Sequence, residues 1–242
     1  MKPATPMIGV LLLALVATTG CDMRWLPGAP QEEDRWVPDS ELMTWEYIYV
    51  SQCSGCHGAD GTLGGARPLN DAVYLASVPA ATLRSIIESG IDDTLMPGFL
   101  DTNGGRLTPA QITGLLDQLQ SNWGNGEPTP GLPPWSSPTS GDVQRGKARF
   151  ATACGTCHGP TGSGGPQGGS VIDPTFLSLV SDQSLRSTIL YGRTDLGMAG
   201  AMTVDPAAPL TDQDVADIVA YLVSHRVPYP GQLYPTTTPG TP

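Results

Sequence analysis

The pentapeptide Cys53-Ser54-Gly55-Cys56-His57 returns as Cys154-Gly155-Thr156-Cys157-His158, and the two copies take four of the five cysteines and two of the three histidines in the chain. They start 101 residues apart, too far to be halves of one local loop. Each copy therefore calls for its own site, and for the same kind of site. Two thiols three positions apart on a helical turn, followed at once by an imidazole, suit covalent attachment of haem: each cysteine adds to a porphyrin vinyl group and the histidine ligates iron. A four-sulfur zinc site or a pair of dithiol redox centres would use the cysteines, yet both leave the following histidine unexplained twice.

The repetition runs further than the pentapeptides. "LRSIIESGIDDTLMPG" (83–98) aligns with "LRSTILYGRTDLGMAG" (185–200), sharing Leu-Arg-Ser, a helix-ending glycine (Gly90, Gly192) and a methionine six residues beyond it (Met96, Met198). "LTPAQITGLLDQL" (107–119) aligns with "LTDQDVADIVAYL" (210–222). Each of these opens with a threonine, Thr108 or Thr211, and has Gln111 or Asp214 three residues later, the pattern of a capping box. Leu107 with Ile112 and Leu210 with Val215 complete hydrophobic staples. Strands have no comparable support, so the fold class is all-α: one small helical unit used twice, over 41–123 and 142–227.

Gly and Pro together exceed a fifth of the chain, and the prolines cluster outside these units. Residues 21–40 read as a tether, 124–141 ("GNGEPTPGLPPWSSPTSG") as a semi-rigid extended spacer, and 228–242 as a disordered tail. Small cores with long loops need a staple.

At the start, Lys2 precedes an apolar run from Met7 to Ala17 and then small residues, the layout of an export signal over 1–20. The run is too short to span a bilayer comfortably. The Gly20-Cys21 junction resembles the lipobox of bacterial lipoproteins, with Thr18 where that family usually has an aliphatic residue. That likeness implies a lipidated Cys21 tethering the chain to a membrane surface on the periplasmic side. The net charge of −11 argues against nucleic acid and for a redox partner with a basic docking surface. The first unit carries nine acids against three arginines, the second eight acids against six basic residues. Docking is therefore expected on the first.

Each unit resembles a class I cytochrome c domain: an N-terminal helix running into C-x-x-C-H, a Gly-rich loop, a helix, a loop bearing the distal methionine, and a C-terminal helix. The resemblance implies two covalently bound haem c groups, on Cys53 and Cys56 and on Cys154 and Cys157, with His57 and Met96, and His158 and Met198, as axial iron ligands. Spacing agrees: Met96 follows His57 by 39 residues and Met198 follows His158 by 40. Met96-Pro97 matches the family's Met-Pro pattern, whereas Met198 precedes Ala199 and has Met202 as a competitor. The family segment that supplies a carbonyl to the proximal histidine matches "RPLND" at Pro68, with Ser170 at the aligned place in the second unit. Gly146 and Tyr221 fit the family's small-against-aromatic helix crossing; the aligned pair in the first unit is Trp45 and Gln118, with Tyr49 and Phe150 at equivalent core positions. His225 is expected at the surface near a helix end.

The implied function is single-electron relay by a dihaem c-type cytochrome, not an enzyme in itself. Residues 170–200 further resemble cytochrome subunits of membrane quinol-oxidising respiratory complexes, including the alternative complex III type. The rivals are a dihaem enzyme, such as a peroxidase or thiosulfate dehydrogenase, and a cytochrome subunit of a periplasmic dehydrogenase.

Overall fold

A computed structural model describes residues 35–92 and 94–227. The expected signal segment, Cys21 and the tail 228–242 lie outside the described residues. Every regular element among those described is helical, and extended segments pair only at three isolated bridges. Residues 35–41, taken by themselves, contribute one 3-10 turn, Asp39–Glu41. From Leu42 onward the helices come in two sets. The first holds α1 (Ser54–His57), α2 (Ala72–Ser77), α3 (Ala80–Ser89) and α4 (Pro109–Trp123); the second holds α5 (Val143–Ala153), α6 (Gly155–His158), α7 (Pro174–Leu179), α8 (Asp182–Tyr191) and α9 (Asp212–Val223). No helix among the described residues is long and apolar enough to cross a membrane.

Both capping boxes form. The Thr108 hydroxyl accepts the Gln111 N–H at 3.3 Å while Gln111 Oε1 accepts the Thr108 N–H at 2.9 Å. Thr211 and Asp214 do the same at 3.1 and 2.9 Å. Each satisfied cap contributes about 1 kcal/mol. The staple residues Leu107, Ile112, Leu210 and Val215 are all buried, which locks the entry of α4 and α9 into the core.

The two sets differ where the terminal helices meet. In the second, α5 crosses α9 so closely that a Cβ on Gly146 would lie 1.9 Å from the Asp217 carbonyl oxygen and 2.9 Å from Tyr221 Cβ. In the first, the aligned residue is Trp45, whose indole has no room between two crossing backbones. The N-terminal helix expected there is present but π-helical over Glu46–Val50, with α-helical residues on either side. Trp45 stacks on Tyr49 at 4.3 Å and meets Trp123 edge-on at 5.1 Å, while Gln118 Nε2 donates to the Met43 carbonyl at 3.3 Å. Tyr49 and Phe150 do fill equivalent buried positions, at 0% and 2% exposure. The aromatic hydroxyl that ties the core to the post-histidine loop has changed helix: Tyr49 donates to Gly58 O at 2.7 Å, Tyr221 to Thr161 O at 2.9 Å.

The proline-rich segment 124–141, expected as a semi-rigid extended spacer, forms a strap hydrogen-bonded to the second set of helices. Arg186 of α8 donates to the carbonyls of Pro134 and Trp135 at 2.7 and 3.1 Å and to Asp212 at 2.5 Å. Ser137 and Thr139 donate to the same Asp212 at 2.6 and 2.7 Å. Leu132 and Trp135 pack against a core cluster that joins Tyr74, Leu75 and Leu83 of the first set to Leu185, Tyr191 and Ile218 of the second. The two expected small cores are thus partly one core; a separate cluster in the first set gathers Ile48, Tyr49, Ile87, Leu107, Ile112, Leu115 and Leu119.

Asp217, buried on α9, ties the helix crossing together. It accepts from Arg145 Nε at 2.7 Å and Nη2 at 2.9 Å, from the Asp142 N–H at 2.7 Å and from Gln213 at 2.8 Å. The Arg145 hydrogen bonds, more than the opposing effect of burial, hold its carboxyl below the usual range. A depressed carboxylate pKa contributes stability that is present above the unfolded value of about 4 and lost as pH falls through the folded value. Asp217→Asn should lower stability at pH 7 by on the order of 1 kcal/mol, a small figure because Arg145 is half exposed, and should flatten the loss below pH ~4. Denaturant titrations of both proteins across pH 2–7 give the comparison.

Candidate haem sites

Each Cys-x-x-Cys-His copy folds as one helical turn. The His57 N–H donates to the Cys53 carbonyl at 3.0 Å, as the His158 N–H does to the Cys154 carbonyl at 3.0 Å. The four cysteines are free. Burial, assisted by the neighbouring Cys56, pushes the Cys53 thiol up to about 12, and burial pushes Cys154 up to about 11. Metal binding and dithiol exchange both need the thiolate, which burial disfavours at Cys53 and Cys154. Among the described residues no group of three or more His, Cys, Asp or Glu side chains converges.

Both imidazoles are oriented by a backbone carbonyl. His57 Nδ1 lies 2.8 Å from the Arg67 carbonyl oxygen, and His158 Nδ1 lies 3.0 Å from that of Gly169. The expected acceptor, Pro68, is therefore one residue too late, and Ser170 is one residue beyond its counterpart. The cause is the pinning of the segment on both sides. Ala66 N–H bonds the Cys56 carbonyl and Leu69 N–H bonds the Gly61 carbonyl, both through backbone. Gly168 N–H and Val171 N–H bond Cys157 and Gly162 in the same way. The carbonyl left facing the ring is that of Arg67, which Pro68 restrains to extended backbone. An Nδ1–H given to a carbonyl leaves Nε2 as the free electron pair. Burial lowers the His57 pKa, against the Arg67 carbonyl, which raises it; the neutral form is the one that ligates iron.

The methionine loops are pinned by glycines. Gly90 and Gly192 end α3 and α8 at φ 76° and 73°, and a Cβ on them would lie 2.5 and 2.3 Å from the carbonyl oxygens of Met96 and Met198. Those same carbonyls accept the N–H of Ile91 and Arg193, each at 3.0 Å. A step of six positions from glycine to methionine is thus the length of one closed loop, which accounts for the spacing seen in the sequence. Met96 and Met198 are both half-buried. Met202 points elsewhere: its Cε would lie 3.5 Å from a Cβ on Gly131, in the strap. His225 is half-buried and not a surface residue, because its ring packs edge-on against Tyr221 at 5.1 Å.

Sequence reasoning missed the residues between the two sets. The Arg67 guanidinium lies 4.7 Å from the centroid of Tyr74 and 4.8 Å from that of Tyr191, and donates to the Ser187 carbonyl at 3.2 Å and to Asp71 at 2.7 Å. Desolvated cation–π contacts reach about 2 kcal/mol. Only the adjacency of Arg67 to Pro68 hinted that it mattered.

Two thiols beside a carbonyl-oriented imidazole, with a glycine-pinned methionine loop in the same unit, form a donor set suited to covalent haem. Comparison with known proteins agrees: residues 143–226 match the model for cytochrome c, and residues 40–119 match that for cytochrome c oxidase, cbb3-type, subunit III. Two cytochrome c domains stand in tandem in this chain, and covalently bound haem c is their cofactor. The chain is 31% identical over 153 residues to the cbb3-type cytochrome c oxidase subunit FixP of Azorhizobium caulinodans, an alignment covering 60% of this chain and 48% of FixP. It is 27% identical over 202 residues to the corresponding subunit CcoP of Rhodobacter capsulatus, covering 77% of this chain and 64% of CcoP. The chain therefore spans about half of the first relative and under two thirds of the second.

A Cβ on Gly168 would lie 2.6 Å from both Nδ1 and Cε1 of His158, whereas Ala66 already carries one at the aligned place. Gly168→Ala should therefore displace the second imidazole and cost about 2 kcal/mol by overpacking, while Ala66→Gly costs less than half of that. Denaturant melts followed by haem absorbance read both.

Proposed function

We propose that this chain relays single electrons through two haem c groups, bonded to Cys53 and Cys56 and to Cys154 and Cys157, with His57 and Met96 on one iron and His158 and Met198 on the other. The observation that carries the reading is the repeated pairing of a carbonyl-oriented histidine with a methionine held in a glycine-pinned loop. A thioether opposite an imidazole favours ferrous iron and raises the potential, and two filled axial positions suit electron transfer better than substrate chemistry.

The domains are taken as 41–123 and 142–227, with residues 1–20 an export signal and Cys21 a lipid anchor on the periplasmic side of a bacterial membrane. The likeness to FixP and CcoP supports a place beside a membrane respiratory complex, with a terminal oxidase or soluble carrier as acceptor. The narrower likeness of residues 170–200 to subunits of quinol-oxidising complexes supports a quinol oxidoreductase as donor; the relatives reported above do not extend to that class. The acidic first domain is the proposed docking face for a basic partner.

Ferric protein matured in a host that attaches haem should show low-spin spectra with a Met–iron charge-transfer band at both haems. Met96→Ala and Met198→Ala should each remove about half of the band, and Met202→Ala should leave it; both expectations rest on one methionine per iron. A high-spin haem in the half-reduced state would indicate a peroxidase and defeat the relay reading.

Docking through the first domain has its own measurement. Electron exchange with a basic partner should slow as ionic strength rises. Neutralising Asp92 and Asp101 together should weaken that slope more than neutralising Asp173 and Asp205; equal slopes would count against the first domain.

A further inference from the structure

The loop that carries Met198 is fastened to the other domain. Arg193 pairs with Met198 through both backbone bonds, its N–H donating to the Met198 carbonyl at 3.0 Å and its carbonyl accepting the Met198 N–H at 2.9 Å. Its side chain forms a bidentate pair with Asp195 at 2.9 and 2.8 Å. Both partners are largely buried, at 16% and 5% side-chain exposure. From that pair two bonds cross to the loop that follows His57. Arg193 Nη2 donates to the Gly64 carbonyl at 3.1 Å, and Asp195 Oδ2 accepts the Leu63 N–H at 2.9 Å. Leu63 is at φ 59°, and it alone among the described non-glycine residues has a positive φ. A branched side chain rarely adopts that conformation, and it persists where surrounding contacts over-determine it. The nearby Arg67, gripped between Tyr74 of one domain and Tyr191 of the other, shows that this contact is a built one.

We infer that Asp195 and Arg193 are positioning residues for the second haem's distal ligand, and that the first domain, through the Leu63 N–H and the Gly64 carbonyl, holds the Met198 loop closed. The inference rests on the reading of Met198 as that ligand. Its chemistry is simple. An external ligand such as imidazole reaches the second iron only when the Met198 loop opens, so anything that loosens the loop raises its apparent affinity by the same factor.

The test is an imidazole titration of the full-length ferric haem protein, followed at the Met–iron charge-transfer band, with Met198→Ala used to assign the second haem's share of the signal. Leu63→Pro lies in the first domain, removes the amide donor and cannot adopt φ 59°. It should raise imidazole affinity at the second haem on the order of tenfold, as should Asp195→Ala, because loss of a charge-assisted hydrogen bond corresponds to about that factor. Leu63→Gly keeps the N–H and tolerates the positive φ, and should stay within about twofold of the parent, inside ordinary scatter for a surface change. If Leu63→Pro does not mature, Asp195→Ala read at the same band carries the decision. The inference is overturned if Asp195→Ala leaves the second haem's affinity unchanged, or if Leu63→Pro and Leu63→Gly behave alike. A different failure is equally visible: if Met202→Ala, and not Met198→Ala, removes half of the band, the ligand reading itself is wrong and the clasp has no ligand to hold.

Discussion

A carbonyl oxygen held at Nδ1 of the histidine is the contact on which each haem site depends. It decides which ring nitrogen carries the proton, keeps the imidazole from turning, and leaves Nε2 with the lone pair a metal requires. The carbonyl is available only because the segment behind the ring is fastened at both ends, by Ala66 and Leu69 in the first domain and by Gly168 and Val171 in the second. Those fastenings bond to the Cys-x-x-Cys-His turn and to the glycine loop after it. The helical turn, the loop and the acceptor segment therefore stand or fall together. In the second domain the fit is tight enough that a single methyl group on Gly168 would meet the ring.

The parts of this arrangement that were legible in the sequence are those set by local chemistry. Thr108 with Gln111 and Thr211 with Asp214 announce helix starts because a capping box closes within four residues. Gly90 and Gly192 announce the methionine loops because only a residue tolerant of positive φ allows so tight a return. What was not legible depends on register or on distance along the chain. The acceptor was misplaced from Arg67 to Pro68 because the carbonyl that faces the ring is chosen by bonds to residues about ten positions earlier. Arg67, Leu63 and Gly64 drew no attention as contact residues because their partners Ser187, Asp195 and Arg193 lie 120 to 132 residues away. The anchoring of the strap was illegible for a related reason: proline density predicts a semi-rigid extended spacer, and nothing local says that Arg186 and Asp212 will bind it.

Duplication kept the sites and let their supports diverge. The second domain retains a helix crossing that requires Gly146. The first has Trp45 there, and a cluster of Trp45, Tyr49 and Trp123 joins its π-helical segment to the end of α4. Both solutions still place an aromatic hydroxyl on the loop after the histidine, from Tyr49 in one case and Tyr221 in the other. The constraint that survived is the position of that loop. The helix geometry that reaches it is free to change.

Two independent carriers joined by a flexible spacer would need neither a shared core nor buried charges between them. This chain has both, and a buried arginine between domains is costly unless it is fully partnered. Arg67 is held by two aromatic faces, a carboxylate and a carbonyl, drawn from both domains, with only its buried Nε lacking a hydrogen-bond partner among the described residues, and Arg193 is held by a carboxylate and a carbonyl. Such contacts fix distance and orientation, and a relay between two fixed centres needs that more than either centre needs mobility. A substrate-transforming site needs the opposite, an axial position that opens. Under the proposed relay, the bonds from Arg193 and Asp195 to Gly64 and Leu63 would hold the Met198 loop against opening.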